Sequence, residues 1–107
     1  MPAITRIAGW KHKEGTTDEQ KRANKEGLLR IYTELAHLVN HGPIGGKNVS
    51  NLGFDQGFDL VFTAEFKSEA TRDEFNPHPI HDAYVKGMQE IIEDVFVYDL
   101  VKGDYGV

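Results

Sequence analysis

The stretch from Phe58 to Phe66 constrains the fold more than any other part of the chain. Phe58, Leu60, Phe62, Ala64 and Phe66 alternate with Asp59, Val61, Thr63 and Glu65. A period of two is that of a strand, whose successive side chains point to opposite faces. That much apolar surface on one face needs a second layer packed on it, so the strand belongs to a covered sheet.

The flanking segments supply the rest of the sheet and its cover. Ala3 to His12 reads as a strand, with Arg6, Ala8, Trp10 and His12 on one face and Thr5, Ile7, Gly9 and Lys11 on the other. Thr17 followed by Gln20 is a capping box that starts a helix. Leu28, Ile31, Tyr32, Leu35, Leu38 and Val39 then recur at helical spacing, with Lys21, Arg22, Lys25 and Glu34 on the solvated side. Gly42-Pro43 is read as the stop, and Gly42 to Ser50 as a loop with a short strand. Ser68 caps a short helix over Glu69 to Glu74, a longer helix runs from Pro79 to Ile92, and Val95 to Val101 is the last strand. The order βαββαβ predicts an α+β, ferredoxin-like fold with a four-stranded antiparallel sheet and helices on one face. The chain is read as a single domain over residues 1–107.

Only 39% of the residues are apolar. A sheet with helices on one face leaves the other uncovered, and pairing two such faces about a two-fold axis predicts a homodimer, with higher assembly open. The chain has 17 acidic and 12 basic residues, for a net charge of -5, and no basic stripe. Phosphate contacts need clustered Lys and Arg, so a nucleic-acid partner is not expected. The absence of cysteine excludes disulfides, thiolate nucleophiles and thiolate metal sites. No apolar run approaches the ~20 residues that cross a bilayer, and Met1 to Arg6 opens no signal peptide, so the cytoplasm is the expected compartment. Asn48-Val49-Ser50 is therefore read as a chance sequon, and Gly46-Lys47 lacks the surroundings of a phosphate-binding loop.

The chemistry concentrates in Phe75-Asn76-Pro77-His78-Pro79-Ile80-His81. Pro79 suits the first position of a helix, which places His78 at the N-cap and His81 in the first turn. A helix can aim a histidine into a cavity, and imidazole is suited to proton transfer near neutral pH. Arg6 either borders such a pocket or pairs with Asp59 or Glu65, and Trp10 shares its face. Glu90, Glu93 and Asp94 are read as a solvated face. A metal site from His78, His81, Asp82 and His12 is the weaker reading, because an i, i+3 pair broken by a helix start is not the usual zinc spacing.

The ordered set Lys13 to Gln20, Gly46 to Ser50, Gly57 to Phe62, Glu65 to Ser68, His78 to His81 and Val95 to Asp99 resembles the stress-responsive A/B barrel (Dabb) family of dimeric α+β barrels. The resemblance covers nearly the whole chain. It implies a homodimer and a pocket between helices and sheet. The family contains plant stress-responsive proteins and polyketide cyclases of the olivetolic acid cyclase type, in which the position of His81 holds the catalytic base. The cyclases' catalytic tyrosine position is Phe75 here, and their pocket histidine on the first strand is Arg6. Tyr32 or Tyr84 then stands in for the missing phenol.

The expected activity is thus acid–base chemistry on a polyketide-like or enolisable carbonyl substrate, a cyclase, lyase or isomerase reaction with His81 as base. Arg6, Trp10, Tyr32, Phe75, His78 and Tyr84 are the candidate substrate contacts. The expected ligand is a small hydrophobic or aromatic, carboxylate-like molecule. No metal or cofactor is expected, and one pocket histidine is too little for haem. The competing expectations are a non-catalytic stress protein acting through stable assembly, and a small-ligand carrier.

Overall fold

The computed structural model describes residues 2–107 and has seven regular elements joined by one 3-10 turn, Ala36–Leu38. Strand β1 is Ile4–His12, helix α1 Asp18–Glu34, strand β2 Val39–Lys47 and strand β3 Leu60–Phe66. Helices α2, Glu69–Phe75, and α3, Pro79–Met88, precede strand β4, Ile92–Leu100. All pairings are antiparallel and the strand order is β2-β3-β1-β4, the ferredoxin-like arrangement.

The register assigns the two faces. Arg6 stands opposite Ala64 and Asp99, Ala8 opposite Phe62 and Val97, and Trp10 opposite Leu60 and Val95. These residues face the helices. The core forms where Leu28, Ile31 and Tyr32 of α1, with Leu35 just past its end, meet Ala8, Phe62 and Phe66 of the sheet. Phe75, at the end of α2, is fully buried and packs between Tyr32 and Phe66, with ring centroids 5.0 Å from each. Ile7, Val61, Phe96 and Tyr98 lie on the opposite face, which no helix covers.

Three local boundaries differ from the sequence reading. Helix α1 ends at Glu34, not at Gly42-Pro43, because Leu35 turns into the 3-10 segment and Leu38 and Val39 leave the helix. Val39 continues the apolar spacing by coincidence: it pairs with Phe66 as the first residue of β2. Strand β2 then runs through Pro43, which an edge strand tolerates, with register shifts on either side of His41. Helix α3 stops at Met88, so Ile92, Glu93 and Asp94 belong to β4. The start signals hold. Thr17 with Gln20 and Ser68 with Thr71 form capping boxes, and His78 Nδ1 accepts the Ile80 N–H at 3.2 Å.

Candidate active site

A cavity of about 630 Å³ lies between α1, α3 and the helix-facing side of β1 and β4. It exists because the helices sit over β3 and β1 and leave β4 bare. Val95 and Val97 point to the helix side yet remain 56% and 52% exposed. Helix α3 supplies His81, Tyr84, Val85 and Met88, an i, i+3, i+4, i+7 stripe turned towards the opening. Helix α1 supplies Asn24, Leu28, Ile31 and Tyr32, and the sheet supplies Arg6, Ala8, Trp10 and Phe62. Gly27 lets the two helices approach: a Cβ there would lie 2.9 Å from the Tyr84 ring.

His81 is held by geometry in one protonation pattern. Its Nδ1 lies 2.9 Å from the Asn76 carbonyl oxygen. A carbonyl only accepts, so Nδ1 carries the proton and Nε2 of the neutral ring has a free lone pair. Burial is the main cause that lowers the His81 pKa below its ordinary value of 6.5. The bond to Asn76 and the charge of Asp82 oppose that effect, while Arg6 adds to it. The ring of Phe75 packs against the imidazole at 5.0 Å and fixes its tilt.

Arg6 is only 6% exposed and is compensated on the spot. Its Nε and Nη2 donate to the two carboxylate oxygens of Asp99 at 2.9 and 3.0 Å, and its guanidinium lies 4.8 Å above the Phe66 ring. Arg72 reaches the same carboxylate at 3.5 Å. The expected partners were Asp59 or Glu65. Glu65 stands opposite Thr5 on the other face of the sheet, and Asp59 is taken by His12, whose Nδ1 lies 3.0 Å away. Tyr32 and Tyr84 both line the cavity as undissociated phenols. Burial pushes Tyr32 up to about 12 against the opposing charge of Arg6, and burial raises Tyr84 as well. Trp10 carries a buried indole N–H with no acceptor.

A model of the Stress responsive A/B Barrel Domain matches residues 4–102. The chain belongs to that family. No curated protein matches the sequence significantly. Among solved structures, a protein of Arabidopsis thaliana aligns with a TM-score of 0.85 at 19% identity, over 97% of this chain and 99% of that one. A Dabb family protein of Mesorhizobium loti with a ferredoxin-like fold aligns at 0.72 and 21% identity, over 94% and 97%. A hydroxynitrile lyase of Passiflora edulis aligns at 0.73 and 14% identity, over 99% and 98%.

Five of the seven residues singled out from this A/B barrel's sequence meet at the cavity: Arg6, Trp10, Tyr32, His81 and Tyr84. Phe75 and His78 stand outside its lining. Phe75 is core, reaching the site through the His81 and Tyr32 rings, and His78 spends Nδ1 on the helix cap. Glu93 and Asp94 are exposed, as expected of a solvated face, and they also border the cavity mouth from the start of β4. Among the described residues no three His, Asp or Glu side chains gather to hold a metal ion. Asn24, missed in the sequence, occupies the apolar stripe four residues before Leu28. A lone amide in such a stripe is the signal that marks it.

Proposed function

We propose that the cavity binds a small, mostly apolar carbonyl compound and that His81 Nε2 removes a proton next to its carbonyl. The observation that carries this reading is the free Nε2 of a His81 ring whose Nδ1–H is fixed on Asn76 at the edge of a cavity of about 630 Å³. A base poised this way stays neutral and competent to lower pH than a solvated histidine. Tyr32, still a phenol at neutral pH, offers a donor for the developing enolate oxygen. The Arg6 charge is largely spent on Asp99, so it does not clamp a carboxylate. Aldol-type cyclisations, and those lyase and isomerase reactions that pass through an enolate, begin with this proton abstraction. The presence of a lyase on the same fold in Passiflora edulis is an analogy of fold only.

The test is exchange of the α-protons of phenylacetone into deuterated water, followed by NMR. The native protein accelerates exchange and His81→Ala lowers the rate by about 10²–10⁴-fold. Equal rates for the two proteins would sink the reading. Binding without acceleration, read from the fluorescence of Trp10, the only tryptophan, would leave a carrier. The protein also acts, in this reading, as a homodimer through the uncovered sheet face. Several neighbours of this fold are dimeric proteins, and Ile7, Val61, Phe96 and Tyr98 form an apolar face without helices. A mass in light scattering of one 12.0 kDa chain would exclude that assembly.

A further inference from the structure

His12 ends β1 on the helix side of the sheet, and the chemistry above makes no use of it. Its Nδ1 lies 3.0 and 3.1 Å from the two carboxylate oxygens of Asp59, and its backbone N–H reaches the same group at 3.4 Å. A carboxylate only accepts, so Nδ1 carries the proton. Nε2 is then the acceptor of the neutral ring, and it faces Asn24 Nδ2 at 3.2 Å. That contact orients the amide, with Nδ2 towards His12 and Oδ1 turned away. The Tyr84 hydroxyl donates to Oδ1 in a short hydrogen bond. A phenol has one proton. With that proton committed to Asn24, only the lone pairs of Tyr84 Oη are left for a ligand.

Asn24 is 1% exposed, so water does not turn its amide over. The Gly27 gap presses the Tyr84 ring against α1 and keeps the phenol in reach of Asn24. A buried polar residue in an otherwise apolar helix stripe costs stability unless both ends of its amide are bonded, and here both are. Tyr84 and Asn24 also line the cavity, so the polarity set by Asp59 is delivered at the ligand site.

We propose that Asp59, His12 and Asn24 form a positioning chain that makes the Tyr84 hydroxyl a fixed hydrogen-bond acceptor, so that the cavity selects ligands bearing a phenolic or enolic hydroxyl. This rests on the cavity being a ligand site and names the class of ligand it takes. An enolised carbonyl compound has such a hydroxyl and its methyl ether does not. A site built to pair a hydroxyl rejects the analogue lacking it, because the buried partner is left unmatched.

The experiment uses 4-propylphenol and its methyl ether, 4-propylanisole, as probes, with binding read by quenching of Trp10 fluorescence. The native protein binds the phenol roughly five- to tenfold more tightly, the worth of one hydrogen bond. Tyr84→Phe erases the difference. His12→Phe also erases it without touching Tyr84, because Asn24 loses the acceptor that orients it. His12→Gln restores it, since its amide oxygen reaches the region of Nε2. Equal binding of the two probes by the native protein, or a preference that survives Tyr84→Phe or His12→Phe, overturns the chain while leaving the cavity a ligand site. Binding of neither probe overturns the reading of the cavity and the chain with it. Should His12→Phe fail to fold, nitrogen NMR of the native imidazole decides: the proton belongs on Nδ1 of His12 with Nε2 bare, and a proton on Nε2, alone or with one on Nδ1, overturns the proposal.

Discussion

Replacing Asp99 by leucine strands the Arg6 guanidinium in the wall of the cavity. The pair makes two hydrogen bonds at 2.9 and 3.0 Å, and Arg6 is 6% exposed. Removing one member of a buried ion pair typically costs about 3–5 kcal/mol, because the other charge is left uncompensated. Two features place this site at the lower end. The Phe66 ring face, 4.8 Å from the guanidinium, retains roughly 0.5–2 kcal/mol of attraction. The Asp99 side chain is 19% exposed, so the pair was never fully dry. The expected loss for Asp99→Leu is therefore about 3 kcal/mol, a fall in Tm of roughly 12–24 °C for a domain of this size. Arg6→Met in the same chain removes the stranded charge, and the double variant returns to within about 1 kcal/mol of the native protein. Thermal and urea melts of the four proteins give the coupling energy, expected to exceed about 2 kcal/mol. If the two single costs are each below about 1 kcal/mol and simply add, the pair is solvent-screened and Arg6 does not shape the site.

Two other perturbations test the geometry around α3. Gly27→Ala puts a methyl group 2.9 Å from two atoms of the Tyr84 ring. It gains about 1 kcal/mol of helix propensity and loses about 1–3 kcal/mol to crowding, so stability falls by about 0–2 kcal/mol while Tyr84 is displaced. The hydroxyl-dependent binding of 4-propylphenol disappears in this variant, and a preserved preference would show that Tyr84 does not need the gap. His81 has a folded-state pKa below 6.5, chiefly through burial. Above 6.5 both folded and unfolded states hold it neutral, and it contributes no pH dependence. As the pH falls below 6.5 the unfolded state takes up the proton first, so stability declines until the folded-state pKa is reached, then levels. Subtracting the pH–stability curve of His81→Phe from the native curve isolates this decline, and a difference of opposite slope would mean that the pocket favours the imidazolium.

The parts of the fold legible in the sequence were those written in local chemistry. Thr17 with Gln20, Ser68 as a cap and His78 before Pro79 mark helix starts locally, and each start is where the pattern puts it. Helix ends were less legible because no single residue enforces them. Val39 fits the spacing of α1, but its pairing with Phe66, 27 positions away, decides its conformation. The same holds for Ile92, which continues the α3 pattern and is instead drawn into β4 opposite His12. In both places a ladder to a distant strand outweighed a local helical period, since propensity differences are at most about 1 kcal/mol per residue.

The site divides along the same line. His81 was legible because its direction follows from a proline-started helix. The partner of Arg6 was not, because it depends on the β1–β4 register that sets Asp99 directly opposite. Parity already excludes Glu65: it pairs with Thr5, and a strand neighbour of Thr5 faces the other side. The Asp59–His12–Asn24–Tyr84 chain draws on four separate segments, so no spacing in the sequence could announce it. What the sequence did contain was its cost: one amide, Asn24, in the stripe that Leu28, Ile31 and Leu35 continue. An unbonded amide there would cost about 1–3 kcal/mol, so its place among core residues already required partners on both sides. His12, at the end of β1, and Tyr84, across the Gly27 gap, are the two groups within reach, and they give Asn24 its orientation and the cavity its acceptor.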